Sequence, residues 1–276
     1  MAAALSLALA ASLAWGVADF VGPLLGRTLG ALRVLLWAQL GGSAAIALAV
    51  GVRGDAPRHW AVLWAVPAAV SGTLGLYAYY RGMATGTMAV VAPVAGASAV
   101  VPVVVGIATG DRPRAAQLAG IAAAILGVGL AAQERQEGRR RPAAGVGLAL
   151  LAAIGFGLYF PPMHAAGAAD AWWSSLVFRL TASSVVVAVA VVRRPAARLS
   201  VRPLALAALV GCGDTLGNLL FAASSARGLL SLTSVLGSLY PIVTVVLAAL
   251  VLKERVARAQ RAGIVLTLVG IVLISS

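Results

Sequence analysis

The sequence predicts an all-α, polytopic membrane protein: ten transmembrane helices built as two inverted five-helix repeats. Three observations carry this. First, 61% of the 276 residues are hydrophobic and only 11% are charged, with a mean hydropathy of +0.98. What remains is too little to build a water-facing surface, so the chain's solvent is lipid. Second, charge clusters and Gly/Pro breaks divide the chain into ten apolar runs of about twenty residues, the length a helix needs to cross hydrocarbon. None shows the two-residue alternation of a membrane barrel. Third, the chain repeats itself. Asp111, Gln117, Gly120 and Gly127 recur at a constant offset as Glu254, Gln260, Gly263 and Gly270. Thr73-Leu74-Gly75 recurs as Thr215-Leu216-Gly217, and Leu7-Ala8-Leu9 with Trp15-Gly16 recurs as Leu148-Ala149-Leu150 with Phe156-Gly157.

The ten runs lie near 3–24, 34–52, 61–80, 87–109, 116–133, 145–163, 172–192, 203–225, 229–251 and 259–275. The first has the look of a secretory signal. No basic residue precedes it, however, and its echo at 148–157 stands mid-chain, so it is expected to remain as a span. The repeats are expected at 1–132 and 145–276, joined by a polar connector at 133–144 that holds Glu134, Arg135, Glu137 and Arg139 to Arg141. Five is an odd number, so the second copy must enter the membrane from the opposite face. Inverted repeats of this kind place a transport site near the midplane, where the halves meet.

The net charge of +13 comes from short basic clusters between apolar runs. That is the pattern of loops at a membrane face and not of a nucleic-acid partner. Odd-numbered loops hold most of the Lys and Arg, which places them in the cytoplasm and both termini outside. A single cysteine, Cys212, permits no internal disulfide. Cationic residues that are nearly all Arg, in an Ala-rich chain, suggest a GC-rich bacterial genome and hence a bacterial inner membrane. No cofactor or metal is expected, and a monomer and a homodimer both fit.

A carboxylate at membrane depth costs on the order of 3 kcal/mol by insertion scales, so it persists only if paired, hydrated or protonated. Asp19, well into the first span, is therefore a candidate to bind a cationic substrate group or to carry a proton; the alternative is an acid near the helix end, paired with Arg27. Arg179 in the seventh span is expected to clamp Asp170 or Asp214, since the matching residue of the second span is the uncharged Gln39. Asp214 and Asn218 share a face of the eighth span, either as a polar cavity wall or as a cap after Gly211 and Gly213. Rings with one polar edge suit a carrier's substrate surface. Trp15, Tyr77, Phe156, Tyr159 and Tyr240 are the deeper aromatics, and Ser238 supplies a hydroxyl near the last of them. Tyr79 and Tyr80, near a span end, are expected in the interfacial belt. Pro93, Pro102 and Pro241 would each free a helix carbonyl and bend a span, which makes them candidates for opening and closing the cavity. The glycine pairs seven residues apart are expected to serve close helix contact, and Asp111 and Glu254 to be solvated beside arginines.

Several of these features together resemble the EamA-type transporters of the drug/metabolite transporter superfamily, over essentially the whole chain. They are the two five-span copies, Trp15-Gly16 followed by a polar residue and Phe20, Pro241 within the ninth span, and an acid leading to paired glycines in the fifth and tenth. The resemblance implies a carrier that moves small organic metabolites, often amino acids or related compounds and often outward, by alternating access. Two features depart from the family. Asn is common where this chain has Asp19, and family members generally keep both termini cytoplasmic, against the charge count. The competing classes are a membrane-embedded enzyme, a channel and a non-catalytic scaffold. An enzyme needs converging groups, whereas His59 and His164 lie at loop and span ends and the Asp residues are scattered. A channel needs a charged ring or filter, and none is evident.

Overall fold

Runs of Ala, Leu, Val and Gly leave backbone amides in hydrocarbon no partner but one another, and the chain coils accordingly. The computed structural model describes residues 2–57, 59–101, 114–131, 133–136, 139–195, 200–227, 233, 236–253 and 258–274. Its helices are α1 (Ala2–Leu29), α2 (Ala31–Arg53), α3 (Ala65–Thr85), α4 (Met88–Gly96), α5 (Ala115–Ala131), α6 (Val146–Ala169), α7 (Ala171–Arg193), α8 (Val201–Ser225), α9 (Tyr240–Leu247) and α10 (Arg258–Ile274). Six of the spans, α1, α2, α3 with the 3₁₀ turn before it, α6, α7 and α8, are long and apolar enough to cross a membrane. Shorter apolar stretches lie in α5, α9 with its extension, and α10.

Several boundaries differ from expectation, each for a local reason. Helix α1 runs on to Leu29, carrying Pro23 inside it, so Asp19 lies further from a helix end than the sequence suggested. Helix α3 continues to Thr85. Tyr79 and Tyr80 consequently fall inside the bundle, 0% and 2% exposed, and not in the interfacial belt. Where the fourth span was expected, the described residues form α4, with Pro93 inside it, tightening into a 3₁₀ turn at Ala97–Ala99. Pro102 lies outside the described residues, as do Asp111 and Glu254. Pro241 does not interrupt a helix. It sits in the first turn of α9, where a missing N–H costs nothing, and α9 ends in a π-helical turn at Ala248–Leu252. Helix α8 passes unbroken through Gly211 and Gly213, which removes the reading of Asp214 as a cap. The connector adds one element that an all-helical reading lacks. Strands β1 (Gln133–Gln136) and β2 (Arg139–Pro142) pair antiparallel, with Glu134 opposite Arg141.

The packing follows one rule: every main contact between two helices recurs between their counterparts five helices on. Helix α3 lies on α6 as α1 lies on α8; α2 lies on α8 as α3 lies on α7; α9 meets α1 as α4 meets α6. Three pairs, α2 with α7, α4 with α9 and α5 with α10, are their own counterparts. At the α5–α10 contact, a Cβ on Gly127 would stand 2.7 Å from the Gly263 carbonyl oxygen, and one on Gly270 2.7 Å from that of Gly120. The repeated glycines are thus what lets these two backbones touch.

Candidate functional site

The clearest trace of this two-fold exchange is at the α2–α7 contact, which also builds the floor of a central cavity. Ser43 and its counterpart Ser183 share a hydrogen bond of 2.7 Å. Ser43 also donates to the Arg179 carbonyl at 3.5 Å, and Ser183 to the Gln39 carbonyl at 3.3 Å. Arg179 and Gln39, the pair expected to correspond, meet directly: Nη1 donates to Gln39 Oε1 at 2.6 Å. The other guanidinium nitrogen, Nη2, reaches Asp214 Oδ2 at 2.5 Å. Of the two partners considered for Arg179, the structure therefore selects Asp214. Asp170 instead caps α7, accepting from the amides of Trp172 and Trp173.

Above this network is a cavity of about 60 Å³, room for a few water molecules. Much of its lining consists of corresponding positions from the two halves: Trp15 with Phe156, Asp19 with Phe160, and Gly72 with Asp214. Leu76 with Asn218 continues the series. Tyr159 donates to Asn218 Oδ1 at 2.8 Å, and the Asn218 amide donates back to the Asp214 carbonyl at 2.8 Å. Trp15 stands edge-on to Tyr159 with centroids 6.0 Å apart and tilts against Phe221 at 5.9 Å. Phe156 is edge-on to Tyr240 at 6.1 Å. Asp19 is buried, forms no ion pair among the described residues, and shares a second small cavity with Tyr80, Arg179 and Asp214. Arg27 is engaged elsewhere, its Nε donating to the Met83 carbonyl at 3.1 Å.

Two carboxylates thus face one guanidinium. Arg179 balances Asp214 and leaves the Asp19 carboxyl as the cavity's second acid. Around the two cavities, the Thr73 and Tyr240 hydroxyls and the Arg179 Nε have no hydrogen-bond partner among the described residues. The cavity can accordingly hold a polar group at one end and an apolar one against its rings.

The sequence model of the EamA-like transporter family matches residues 2–133 and again residues 143–276. The chain belongs to the EamA-like transporter family. It is therefore a multi-pass membrane protein of the drug/metabolite transporter superfamily, with the lipid bilayer and a small-molecule substrate as its partners. A solved structure described as "Crystal structure of protein" has the same fold at a TM-score of 0.68 and 18% identity, covering 99% of this chain and 96% of the other. No curated protein matches the sequence.

Of the residues singled out in this EamA-like chain, seven line the central cavity: Trp15, Asp19, Phe156, Tyr159, Asp214, Asn218 and Tyr240. Ser238 is buried below Tyr240 in sequence and does not line it. Tyr77 faces outward, onto a groove between α2, α3 and α7. Pro93 is buried in α4 and Pro241 in the first turn of α9. Sequence reasoning left out Gln39, Thr73, Phe160 and Phe178 as lining residues. Gln39 and Phe160 were reachable by carrying Arg179 and Asp19 across the duplication; Thr73 and Phe178 carry no signal that separates them from core.

Proposed function

We propose that this protein is a secondary-active transporter moving a small, amine-bearing organic metabolite, an amino acid or related compound, by alternating access. Its ten spans form two inverted five-helix repeats, residues 1–132 and 145–276, in a bacterial inner membrane, and its direction is export. The observation that carries the reading is the cavity lining, drawn in corresponding pairs from the two halves at the axis that exchanges them. A site so placed can be closed by either half in turn, which is the geometric requirement of alternating access. In this conformation the cavity holds only about 60 Å³, so a metabolite enters when the halves rock apart.

In this reading Asp19 receives the substrate's ammonium group or a proton, Trp15, Phe156, Tyr159 and Tyr240 hold its apolar part, and Asn218 adds a polar contact. Tyr77 faces the outer groove and not the site, and Pro93, inside α4, marks where a gating helix can bend. Radiolabelled amino acids and amines, supplied as a panel to proteoliposomes, test this. Saturable counterflow of at least one compound supports a carrier, a linear leak indicates a channel, and chemical conversion an enzyme.

A further inference from the structure

Helices α2, α3 and α7 part on the outside of the bundle to leave a slot distinct from the central cavity. One section, about 480 Å³, is walled by apolar side chains that include Leu32, Leu74, Val186, Val189 and Val192. The next, about 510 Å³, is lined by Arg33, Arg81 and Arg193 together with Gly30 and Ala31. Leu32, Tyr77 and Arg193 belong to both sections, so the two volumes form one continuous slot. It is apolar along its length and cationic at its mouth.

The three arginines come from the start of α2, the last turns of α3 and the end of α7, and so ring one end of the bundle. No carboxylate pairs with any of them among the described residues. The mouth has a fourth source of positive potential. Gly30, at φ +89°, turns the chain into α2 and has no side chain to cap its first turn, and Gly30, Ala31, Leu32 and Arg33 line the same space. Unsatisfied amides and the positive end of the helix dipole at an α-helix N-terminus favour an anion. Further along the slot, Leu74 and Val192 are 58% and 79% exposed, a surface fit for hydrocarbon and not for water.

We propose that this slot binds one anionic phospholipid, its phosphate seated among Arg33, Arg81, Arg193 and the first turn of α2, and an acyl chain laid against Leu32, Val189 and Val192. A soluble anion would satisfy the mouth but leave the apolar section bare. A neutral lipid would fill the section but leave three cations and a helix terminus uncompensated. Thr73 lines both the slot and the central cavity, so the bound chain lies one side chain away from the site and seals the α2–α3 seam beside it.

Native mass spectrometry of the full chain in a nonionic detergent tests this, with phosphatidylglycerol and phosphatidylcholine of identical acyl chains as probes. The expected result is retention of one phosphatidylglycerol on the order of a hundredfold more tightly than phosphatidylcholine, as three arginines at about one kcal/mol each near a lipid surface imply. The R33Q/R81Q/R193Q variant should lose that preference, while R202Q/R258Q/R261Q, which removes the same charge from other exposed positions, should keep it. Val189→Trp should lower retention of both lipids by filling the slot. Equal retention of the two lipids by the unmodified chain would overturn the proposal. So would a preference that survives R33Q/R81Q/R193Q, or one lost equally in both triple variants, which would indicate diffuse charge. Retention unaffected by Val189→Trp would remove the acyl seat.

Discussion

Replacing Arg179 by Leu should be among the most destabilising single changes in this protein, and replacing Asp214 at the same time should restore most of the loss. Arg179 is 1% exposed and Asp214 18%, with 2.5 Å between Nη2 and Oδ2. With the charge centres about 4 Å apart and an effective dielectric constant of about 20, the pair's attraction is about 4 kcal/mol. Arg179→Leu removes it and strands a partly buried carboxylate, together with Gln39 Oε1, which loses its 2.6 Å donor. Broken buried pairs cost about 3–5 kcal/mol. A bilayer reference state, in which the unfolded helices also find polar partners, argues for the low end, about 3 kcal/mol. The R179L/D214L variant removes both charges, and apolar replacement of a whole buried pair is close to neutral. It should lie within about 1 kcal/mol of the parent. Reversible unfolding in mixed micelles of increasing sodium dodecyl sulfate gives both differences. A single-variant cost below about 1 kcal/mol, or a double variant whose loss equals the sum of the two singles, would refute the pairing as the reason Arg179 is tolerated at this depth.

Other outcomes follow from the same geometry. Asp19→Asn should flatten the pH dependence of transport in proteoliposomes, since Asp214, the other acid of the cavity, is already held by Arg179; a pH profile unchanged from the parent would discard the proton role. Tyr159→Phe removes the 2.8 Å bond to Asn218, worth about 1 kcal/mol, and should raise the KM for the transported compound about fivefold; an unchanged KM would separate Asn218 from the substrate. Gly155→Ala would bring a Cβ within 2.7 Å of the Gly75 Cα and 2.8 Å of the Ser71 carbonyl oxygen, backbone that cannot yield, and should cost about 1–3 kcal/mol. Gly147→Ala, on the same helix with open space at its Cβ, should cost nothing measurable in the same unfolding assay. In a Cys212→Ala background, Ala3→Cys and Ala143→Cys should react with a membrane-impermeant maleimide from opposite faces; labelling from the same face would remove the inverted topology and the carrier reading with it.

What the sequence made legible was whatever the duplication wrote twice. The glycines at 120, 127, 263 and 270 announced a close helix contact, though not that its two partners would be α5 and α10. The match of Arg179 to Gln39 likewise anticipated that the charge is paired and not a lone cation. Hydropathy found the six long apolar helices but not their ends. Nothing apolar changes at residue 24 or residue 80, so the continuation of α1 and α3 through polar-flanked ends, and with it the burial of Tyr79 and Tyr80, was not visible. Pro241 illustrates a different limit. A proline within an apolar run reads as a kink, but the same residue is equally suited to starting a helix, and only the turn at Ser238 and Leu239 decides between them. The outward placement of Tyr77 depends on which face of α3 meets α6, and a helix that is apolar on every side does not declare its face.

The duplicated scaffold and the chemistry it carries obey different symmetries, and the difference bears on mechanism. Trp15 and Phe156 at the cavity, and Ser43 and Ser183 at the α2–α7 contact, are equivalent in kind. The ionisable groups are not. Asp19 stands where the second copy has Phe160, Asp214 where the first has Gly72, and Arg179 where the first has Gln39. The balanced pair therefore rides on α7 and α8 of the second half, while the additional acid rides on α1 of the first. In the proposed alternating-access cycle Asp19 is free to change its distance from Arg179 and Asp214, because among the described residues no salt bridge ties it to either. If the proposed carrier closes from both sides on these corresponding positions, the unequal charges make the two closed states differ in electrostatic energy. A bound cation or proton at Asp19 can then bias one state over the other, since it interacts differently with the same three groups in each. The coupling needs only that one carboxylate be left out of the symmetric pairing, which is the position Asp19 occupies.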